Sequence, residues 1–251
     1  MIQNLVIGNW KMNGSFAANE QLLDALLPAL AGLETVGIAL CPPFPYLSQA
    51  DWRLKDSGIA LGAQNLNEHE AGAHTGEVSA AMLKDLGCRY VLVGHSERRS
   101  LYGETDADTA AKFSAARAAG VVPVLCVGET LAERERDETT AVVYRQLDAI
   151  RSRLGARAFA GSVVAYEPVW AIGTGLSATP EQAQVVHAAI RQYLCECDTI
   201  TGPDIALLYG GSVKADNAAA LLAQPDINGA LVGGAALDAD AFAAICRAAN
   251  G

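Results

Sequence analysis

Three segments place ionisable side chains directly after short apolar runs, where they could act together on a substrate. Asn9 and Lys11 lie in GNWKMNG (residues 8–14), His95 and Glu97 in GHSERR (94–99), and Glu167 in YEPVWAIGTG (166–175). A carboxylate at the end of a strand is a candidate general base. A lysine that directly follows a buried strand needs an anionic partner. Together these residues indicate acid–base chemistry on an anionic compound.

Each residue also has a structural interpretation. An isolated lysine is usually solvated, and a histidine after a strand is more often structural than catalytic. Glu167, taken alone, fits a helix cap or an ion pair as well as a general base. Glu97 could pair with a neighbouring arginine or with Lys11, and exposed pairs of that kind add little stability.

The segment after His95 resembles the start of a helix, with Ser96 as the candidate N-cap. A histidine beside a helix N-terminus lies at the positive end of the helix dipole, which disfavours the imidazolium form. A neutral imidazole could donate a hydrogen bond to a carbonyl oxygen. We therefore expect a neutral His95.

Two Gly-Gly pairs follow successive apolar runs, in YGGSV (209–213) and LVGGAAL (231–237). Glycine lets the backbone approach a ligand closely, and N–H groups at the start of a helix bind anions. One such pair is usually a turn, but two pairs at neighbouring strand ends favour a phosphate site.

Alternating strands and helices must position these segments. Most of the runs are rich in Val, Ile and Leu, as in strands buried on both faces of a parallel sheet. The predicted strands are 5–9, 37–41, 59–63, 90–93, 121–127, 162–166, 205–209 and 229–232. The predicted helices are 16–30, 46–55, 78–86, 106–119, 139–154, 181–195, 215–223 and 238–248.

Eight strand–helix units in 251 residues predict a closed (β/α)8 barrel that forms a single domain over residues 1–251. An open doubly wound sheet remains the alternative. In such a barrel, functional residues lie on the loops at the carboxyl ends of the strands.

The composition excludes several functions. The formal net charge is −10, from 18 Lys and Arg against 28 Asp and Glu. With no basic run, this charge disfavours binding to nucleic acid or to an anionic membrane. The start MIQNLVIGNWK predicts no signal peptide. The six cysteines show neither zinc spacing nor a disulfide framework, so we expect reduced thiols, no metal and a cytoplasmic location.

Nucleotide-binding motifs are weak or absent. Residues 173–178 fit G-x-G-x-x-A, but they do not directly follow a strand, and the acidic residue at the expected distance, Glu196, ends a helix. No G-x-x-x-x-G-K-[ST] segment occurs, so the sequence predicts no P-loop.

The segments above, together with AQN (63–65) and TGEVS (75–79), closely resemble the triosephosphate isomerase family in order and spacing over nearly the whole chain. The resemblance implies interconversion of dihydroxyacetone phosphate and glyceraldehyde 3-phosphate, a step of glycolysis and gluconeogenesis, with no metal or organic cofactor. It also implies family features such as a neutral histidine and a loop that closes over the substrate.

The resemblance further implies a role for each matching residue. Glu167 shuttles the proton between two substrate carbons, His95 polarises the carbonyl oxygens, Lys11 balances the substrate's negative charge, and Asn9 bonds the developing enediolate. Glu97 matches an active-site carboxylate of undefined role. Asn9 and Lys11 are expected to bind the substrate. The residues expected to hold its phosphate, mainly through backbone N–H groups, are Gly173, Ser212, Gly233 and Gly234.

The family is typically a homodimer whose third strand–helix loop inserts into the partner. The matching loop is Asn65–Glu77, with Thr75 near its tip and His74 where the family often has another aromatic residue. The segment after Glu167 is expected to be a lid, with one hinge at 168–169 and a second at 176–178. Leu176 and Ser177 depart from the commoner family sequence at that second hinge.

The residues alone leave two other functions open. Lys11 could form a Schiff base in an aldolase, although that requires an activated lysine and no second lysine stands beside it. Alternatively, the barrel could bind phosphate without catalysis.

Overall fold

Eight parallel strands close into a barrel. The computed structural model describes residues 4–173 and 177–250. Each strand pairs with its neighbours along the chain, and the barrel closes where Leu5 of the first strand pairs with Gly229 of the last. The strands are β1 Asn4–Asn9, β2 Val36–Cys41, β3 Ala60–Ala63, β4 Tyr90–Val93, β5 Val122–Val127, β6 Val163–Tyr166, β7 Ala206–Tyr209 and β8 Gly229–Val232. The closed barrel is confirmed, and the open-sheet alternative is wrong.

Helices surround the barrel. They are α1 Phe16–Leu30, α2 Leu47–Leu54, α3 Ala80–Asp85, α4 Ser96–Tyr102, α5 Asp106–Ala119, α6 Leu131–Glu135, α7 Thr139–Leu154, α8 Pro180–Cys197, α9 Ala218–Leu222 and α10 Ala239–Ala249. The sequence reading missed α6, which is one short turn of helix between β5 and α7.

Side-chain caps explain where several helices begin. Thr179 accepts the Gln182 N–H and is the N-cap of α8, with Pro180 in the first turn. Ser79 caps α3, so that helix begins at Ala80 rather than at residue 78. α9 begins later than expected because the Asn217 side chain accepts the Lys214 N–H and holds residues 214–217 in a turn.

The core has two layers, which is why the strands are apolar on both faces. Inward-facing residues such as Ile7, Leu92 and Val124 fill the barrel. Outward-facing residues such as Val6 and Val91 pack with the helices in a second, larger cluster. With both faces covered, the strands offer open space for a ligand only at their ends.

Three further observations bear on binding. All six cysteines are free thiols. Among the described residues, no group of three or more His, Cys, Asp and Glu side chains is arranged to hold a metal ion. No helix in residues 4–173 and 177–250 is long and apolar enough to cross a bilayer.

Candidate active site

A cavity of about 340 Å³ opens at the carboxyl ends of the strands. It brings together predicted residues from five different strand ends. These are Asn9, Lys11, His95, Glu167, Gly173, Ser212, Gly233 and Gly234. Of the predicted site residues, Glu97 alone does not line this cavity. We refer to it as the main cavity.

Glu167 follows β6 directly and is only 2% exposed. Its backbone N–H donates to the Val127 carbonyl oxygen at 2.7 Å, which continues the β5–β6 ladder to this residue. Gly128 and Gly210 flank it closely. A Cβ atom at Gly128 would lie 1.8 Å from the Glu167 carbonyl oxygen, and one at Gly210 would lie 2.9 Å from Glu167 Cγ. Both positions therefore exclude larger residues and allow the chain to pack closely around Glu167.

Both carboxylate oxygens of Glu167 have partners. Oε2 accepts the Ser96 N–H at 2.9 Å, and Oε1 lies 2.9 Å from His95 Nε2. Burial raises the pKa of Glu167, but His95, the Ser96 N–H and Lys11 together lower it below its usual value. The carboxylate is thus held ionised by the groups around it.

His95, not Ser96, is the N-cap of α4. Its Nδ1 accepts the Glu97 N–H at 3.2 Å, and the cap lies one residue earlier than predicted because the imidazole itself satisfies the helix terminus. Since Nδ1 is an acceptor, the proton of the neutral ring lies on Nε2, which faces Glu167. The Asn9 amide nitrogen lies 3.4 Å from the same Nε2.

The pKa of His95 is not set by the helix terminus alone. Burial lowers this pKa, but the Glu167 carboxylate and, more weakly, Glu97 outweigh burial, so the pKa is raised from its ordinary value. This direction is opposite to the one expected from the sequence, which did not place two carboxylates beside the ring. A second proton on Nδ1 would break the bond from the Glu97 N–H, so the hydrogen-bond geometry itself corresponds to a neutral ring.

Lys11 adopts a conformation that is uncommon for a residue other than glycine, with φ of 54°. Its N–H donates to Asn9 Oδ1 at 3.0 Å, and its carbonyl oxygen accepts from Gln64 Nε2 at 2.9 Å. Its ammonium forms an ion pair with Glu97. The strained backbone directs the lysine into the site, and side-chain contacts hold it there.

Glu97 lines a second cavity of about 290 Å³ beside the first. Asn9, Lys11 and His95 line both cavities. The Glu97 side chain pairs with Lys11, while its N–H holds His95 Nδ1. Glu97 therefore contacts two site residues without lining the main cavity.

The glycine-rich ends of β7 and β8 form the opposite wall of the main cavity. Ser212 and the Gly233-Gly234 pair lie there, and Gly173 reaches the same wall from the segment after β6. Asn217 Nδ2 donates to the Ser212 carbonyl oxygen at 3.0 Å and holds this turn. Exposed backbone at two neighbouring strand ends can accept an anionic group.

The first part of the predicted lid is anchored from below. Trp170 Nε1 donates to Glu129 Oε1 at 2.9 Å, and the Arg134 guanidinium lies 4.3 Å from the centre of the Trp170 ring. Ile172 and Gly173 then line the main cavity. Residues 174–176, which include Leu176 of the predicted second hinge and most of the G-x-G pattern, lie outside the described residues.

The loop Asn65–Glu77 contains a stacked pair of histidine rings. The His69 and His74 rings lie 4.2 Å apart and are inclined by 8°. His74 thus keeps a flat ring at the position where it departs from the common family residue.

Sequence reasoning missed several residues of the site. Glu129, which is fully buried and bonded to Trp170, lies two residues after the end of β5, and a carboxylate so close to a strand end could have revealed it. Lys214 lines the main cavity directly after the predicted phosphate turn. Ile172, Leu231 and Ala235 also line it, but apolar side chains carry no chemical signal in a sequence.

Comparison with known proteins agrees with the geometry. Residues 4–249 match the family model described as "Triosephosphate isomerase". The chain is 61% identical over 249 residues to a triosephosphate isomerase of Thiobacillus denitrificans, covering 99% of each chain. It is 58% identical to that of Dechloromonas aromatica over the full length of both chains, and 56% identical to that of Alcanivorax borkumensis over 98% of each.

Proposed function

Because this chain belongs to the triosephosphate isomerase family, we propose that the residues of its main cavity carry out the reaction of that family. The chain is an intramolecular aldose–ketose isomerase that interconverts dihydroxyacetone phosphate and D-glyceraldehyde 3-phosphate through an enediolate. The observation that supports the residue assignment best is a buried carboxylate, Glu167, beside an Nε2–H donor, His95, in a cavity whose far wall is glycine backbone.

Glu167 is the base. It removes a proton from the carbon next to the carbonyl group, and the electron pair of that C–H bond forms the enediolate. The protonated Glu167 then returns the proton to the neighbouring carbon, while the hydroxyl proton of the first carbon passes to the former carbonyl oxygen, so that the first carbon becomes the new carbonyl carbon. The contacts with His95 and the Ser96 N–H lower the pKa of Glu167. When a substrate oxygen takes over the His95 donor, Glu167 loses part of this stabilisation and becomes a stronger base.

His95 is the hydrogen-bond donor to the developing oxyanion. Its Nε2–H can point to the carbonyl oxygen because Nδ1 is fixed by the Glu97 N–H. A donor held in place before reaction stabilises the charge of the transition state without further reorganisation. Asn9, 3.4 Å from the same nitrogen, is placed to bond the same oxygen.

Lys11 supplies positive charge, and Glu97 positions it. The neighbour of the ammonium is a carboxylate, whereas a nucleophilic lysine is activated by a neighbouring cation or an apolar pocket. This geometry argues against the Schiff-base alternative. Gly173, Ser212, Gly233 and Gly234 hold the phosphate, mainly through backbone N–H groups.

The lid excludes water from the enediolate. Trp170 is held by Glu129 and Arg134, so that the segment is anchored at its start. Exclusion of water strengthens the hydrogen bonds to the oxyanion and prevents side reactions of the intermediate.

Glu167→Asp tests the assignment of the base. The aspartate keeps the charge but retracts it by one methylene group, and a misplacement of about 1 Å can reduce the rate about 10²-fold. We expect kcat to fall by about that factor with KM much less changed, measured by steady-state kinetics in both directions. Turnover equal to that of the wild type would rule out Glu167 as the base.

We also propose that residues 1–251 act as one domain and that two copies associate through the loop Asn65–Glu77. The second cavity supports this proposal, since Pro43, Phe44 and Pro45 line it and Met12 at its edge is 93% exposed. An isologous pair of loops would cover this apolar surface and complete the surroundings of Lys11.

Thr75→Arg tests the dimer, with Ser152→Arg on α7 as the matched control. We expect sedimentation velocity to give a dimer for the wild type and the control, and a monomer of low activity for Thr75→Arg. A monomeric wild type, or a fully active monomeric variant, would contradict the proposal.

We place the enzyme in the cytoplasm, where its six free thiols would remain reduced.

A further inference from the structure

The cations of the main cavity are unequally distributed. Among the described residues that line it, Lys11 and Lys214 are the lysines and Glu167 is the carboxylate. The Lys11 ammonium is paired with Glu97 at the end of the cavity where the reacting carbons lie. Positive charge that is not already offset must therefore come from elsewhere.

Lys214 lies at the other end, directly after Ser212 and Val213. Its backbone is fixed, because its N–H donates to Asn217 Oδ1 at 2.8 Å and Asn217 Nδ2 donates to the Ser212 carbonyl oxygen at 3.0 Å. Its side chain is exposed. Within residues 4–173 and 177–250, the ion pairs of the structure do not include Lys214.

The rest of the molecule repels an anionic substrate. The chain carries a formal charge of −10, and a triose phosphate at neutral pH is close to a dianion. Glycine backbone can hold a phosphate at short range, but it does not offset a long-range repulsion. A lysine ammonium on a flexible four-carbon stem at the mouth of the cavity can do so without a fixed contact.

We infer that Lys214 is a substrate-binding residue that draws the phosphate group into the cavity and increases the rate of capture. This inference rests on the phosphate end proposed above. The charge acts on the approach and binding of the dianion rather than on proton transfer, so its effect falls on kcat/KM and on phosphate affinity, with kcat retained. It also weakens as salt screens the charge.

Lys214→Gln tests the inference, with Lys55→Gln as the matched control. Lys55 is an exposed lysine that follows α2 and lines a cleft beside Ile59 and Ala60, at the opposite end of the barrel. Both variants change the net charge equally. Lys214→Arg restores the charge at the site itself.

At low ionic strength we expect Lys214→Gln to lower kcat/KM about 3–10-fold and to raise the inhibition constant of inorganic phosphate by a similar factor. Both differences should shrink severalfold at about 0.5 M salt, where the Debye length is only a few ångströms. Lys55→Gln should stay close to the wild type, and Lys214→Arg should recover most of the loss.

The outcomes separate this inference from the proposed phosphate site. If inorganic phosphate does not compete with substrate in the wild type, the phosphate site itself is wrong. If phosphate competes but Lys214→Gln and Lys55→Gln give the same constants, only the role of Lys214 is wrong. A loss in Lys214→Gln that falls on kcat, or that salt leaves unchanged, would also overturn it.

Discussion

Two buried histidines, in the active-site wall and in the helical layer behind it, show how neighbours determine what a side chain does. His95 is 6% exposed and His187 is fully buried. His95 caps α4, with its Nε2–H directed at Glu167. His187 lies within α8, with Nδ1 3.2 Å from the Asp226 carbonyl oxygen.

The two rings therefore hold their protons on opposite nitrogens. His187 must donate from Nδ1, since its partner is a carbonyl oxygen, and its Nε2 has no hydrogen-bond partner among the described residues. Its ring packs between Tyr166 and Tyr209, with centroids 5.8 and 6.3 Å away. Burial lowers the pKa of His187 to about 4, whereas carboxylates raise that of His95. Similar burial thus places one histidine beside a carboxylate in the main cavity and the other in the packed layer around the barrel.

The largest expected difference between His95 and His187 is the effect of their substitution on kcat. His95→Asn removes the Nε2–H donor from the main cavity, because the shorter side chain does not reach that position, and its amide oxygen can accept the Glu97 N–H that caps α4. Loss of one such donor lowers kcat about 10²–10³-fold, whereas the melting temperature should change little. Steady-state kinetics and thermal unfolding of the same preparation measure both. A variant with normal kcat would show that His95 is no more catalytic than His187.

The reciprocal change affects stability. His187→Ala leaves a cavity between α8 and the barrel, and truncation of a large buried side chain costs about 2–4 kcal/mol. We expect a lower urea midpoint with kcat largely retained in the folded fraction. If the variant is as stable as the wild type but inactive, His187 belongs to the catalytic group and the comparison fails.

A smaller effect distinguishes the histidines by pH. The pKa of His187 is about 4 in the folded state and about 6.5 when unfolded, so the unfolded state binds more protons between these values. Stability from this residue is present above pH 6.5 and is lost as the pH falls towards 4. The raised pKa of His95 acts in the opposite sense, because its contribution is present at low pH and is lost as pH rises through the folded value.

His187→Phe isolates this pH effect, since it keeps a ring that does not titrate. Between pH 7 and pH 4.5, we expect the wild type to lose about 2–3 kcal/mol more unfolding free energy than this variant. Urea titrations at equal protein concentration at the two pH values give the difference. Equal losses in both proteins would mean that His187 is charged in the folded state.

The sequence predicted the barrel well because buried parallel strands and their capped helices are local patterns. It also singled out His95 and Glu167, which lie within two residues of the ends of apolar strands and which the structure brings into one cavity. It placed the cap of α4 at Ser96 instead of His95, because an imidazole that caps a helix has no distinct local signature. It could not predict the contact between His95 and Glu167, which joins two strands far apart in the chain, and it therefore missed the direction of the His95 pKa.

His187 shows a second limit of prediction from the sequence, which is the burial of a side chain within a helix. Within a predicted helix, a histidine on the buried face cannot be told from one on the exposed face of the same helix until the packing is known. The sequence could have indicated Glu129 and Lys214 as candidates, because they follow a strand end and a glycine turn. Their contacts could not be predicted, because the contacting residues are distant in sequence. Motifs therefore identified residues that line one cavity, and three-dimensional contacts show which of them are neighbours.

Solvent exchange tests the central claim most directly, namely that Glu167 carries the proton between two substrate carbons. Wild-type enzyme and Glu167→Gln are each incubated with dihydroxyacetone phosphate in D₂O, and deuterium at the substrate carbons is followed by NMR. We expect the wild type to isomerise the substrate and to introduce deuterium into substrate and product, because the protonated carboxyl exchanges with solvent. We expect Glu167→Gln to do neither at a comparable rate. Deuterium incorporation by Glu167→Gln at the wild-type rate would contradict the claim.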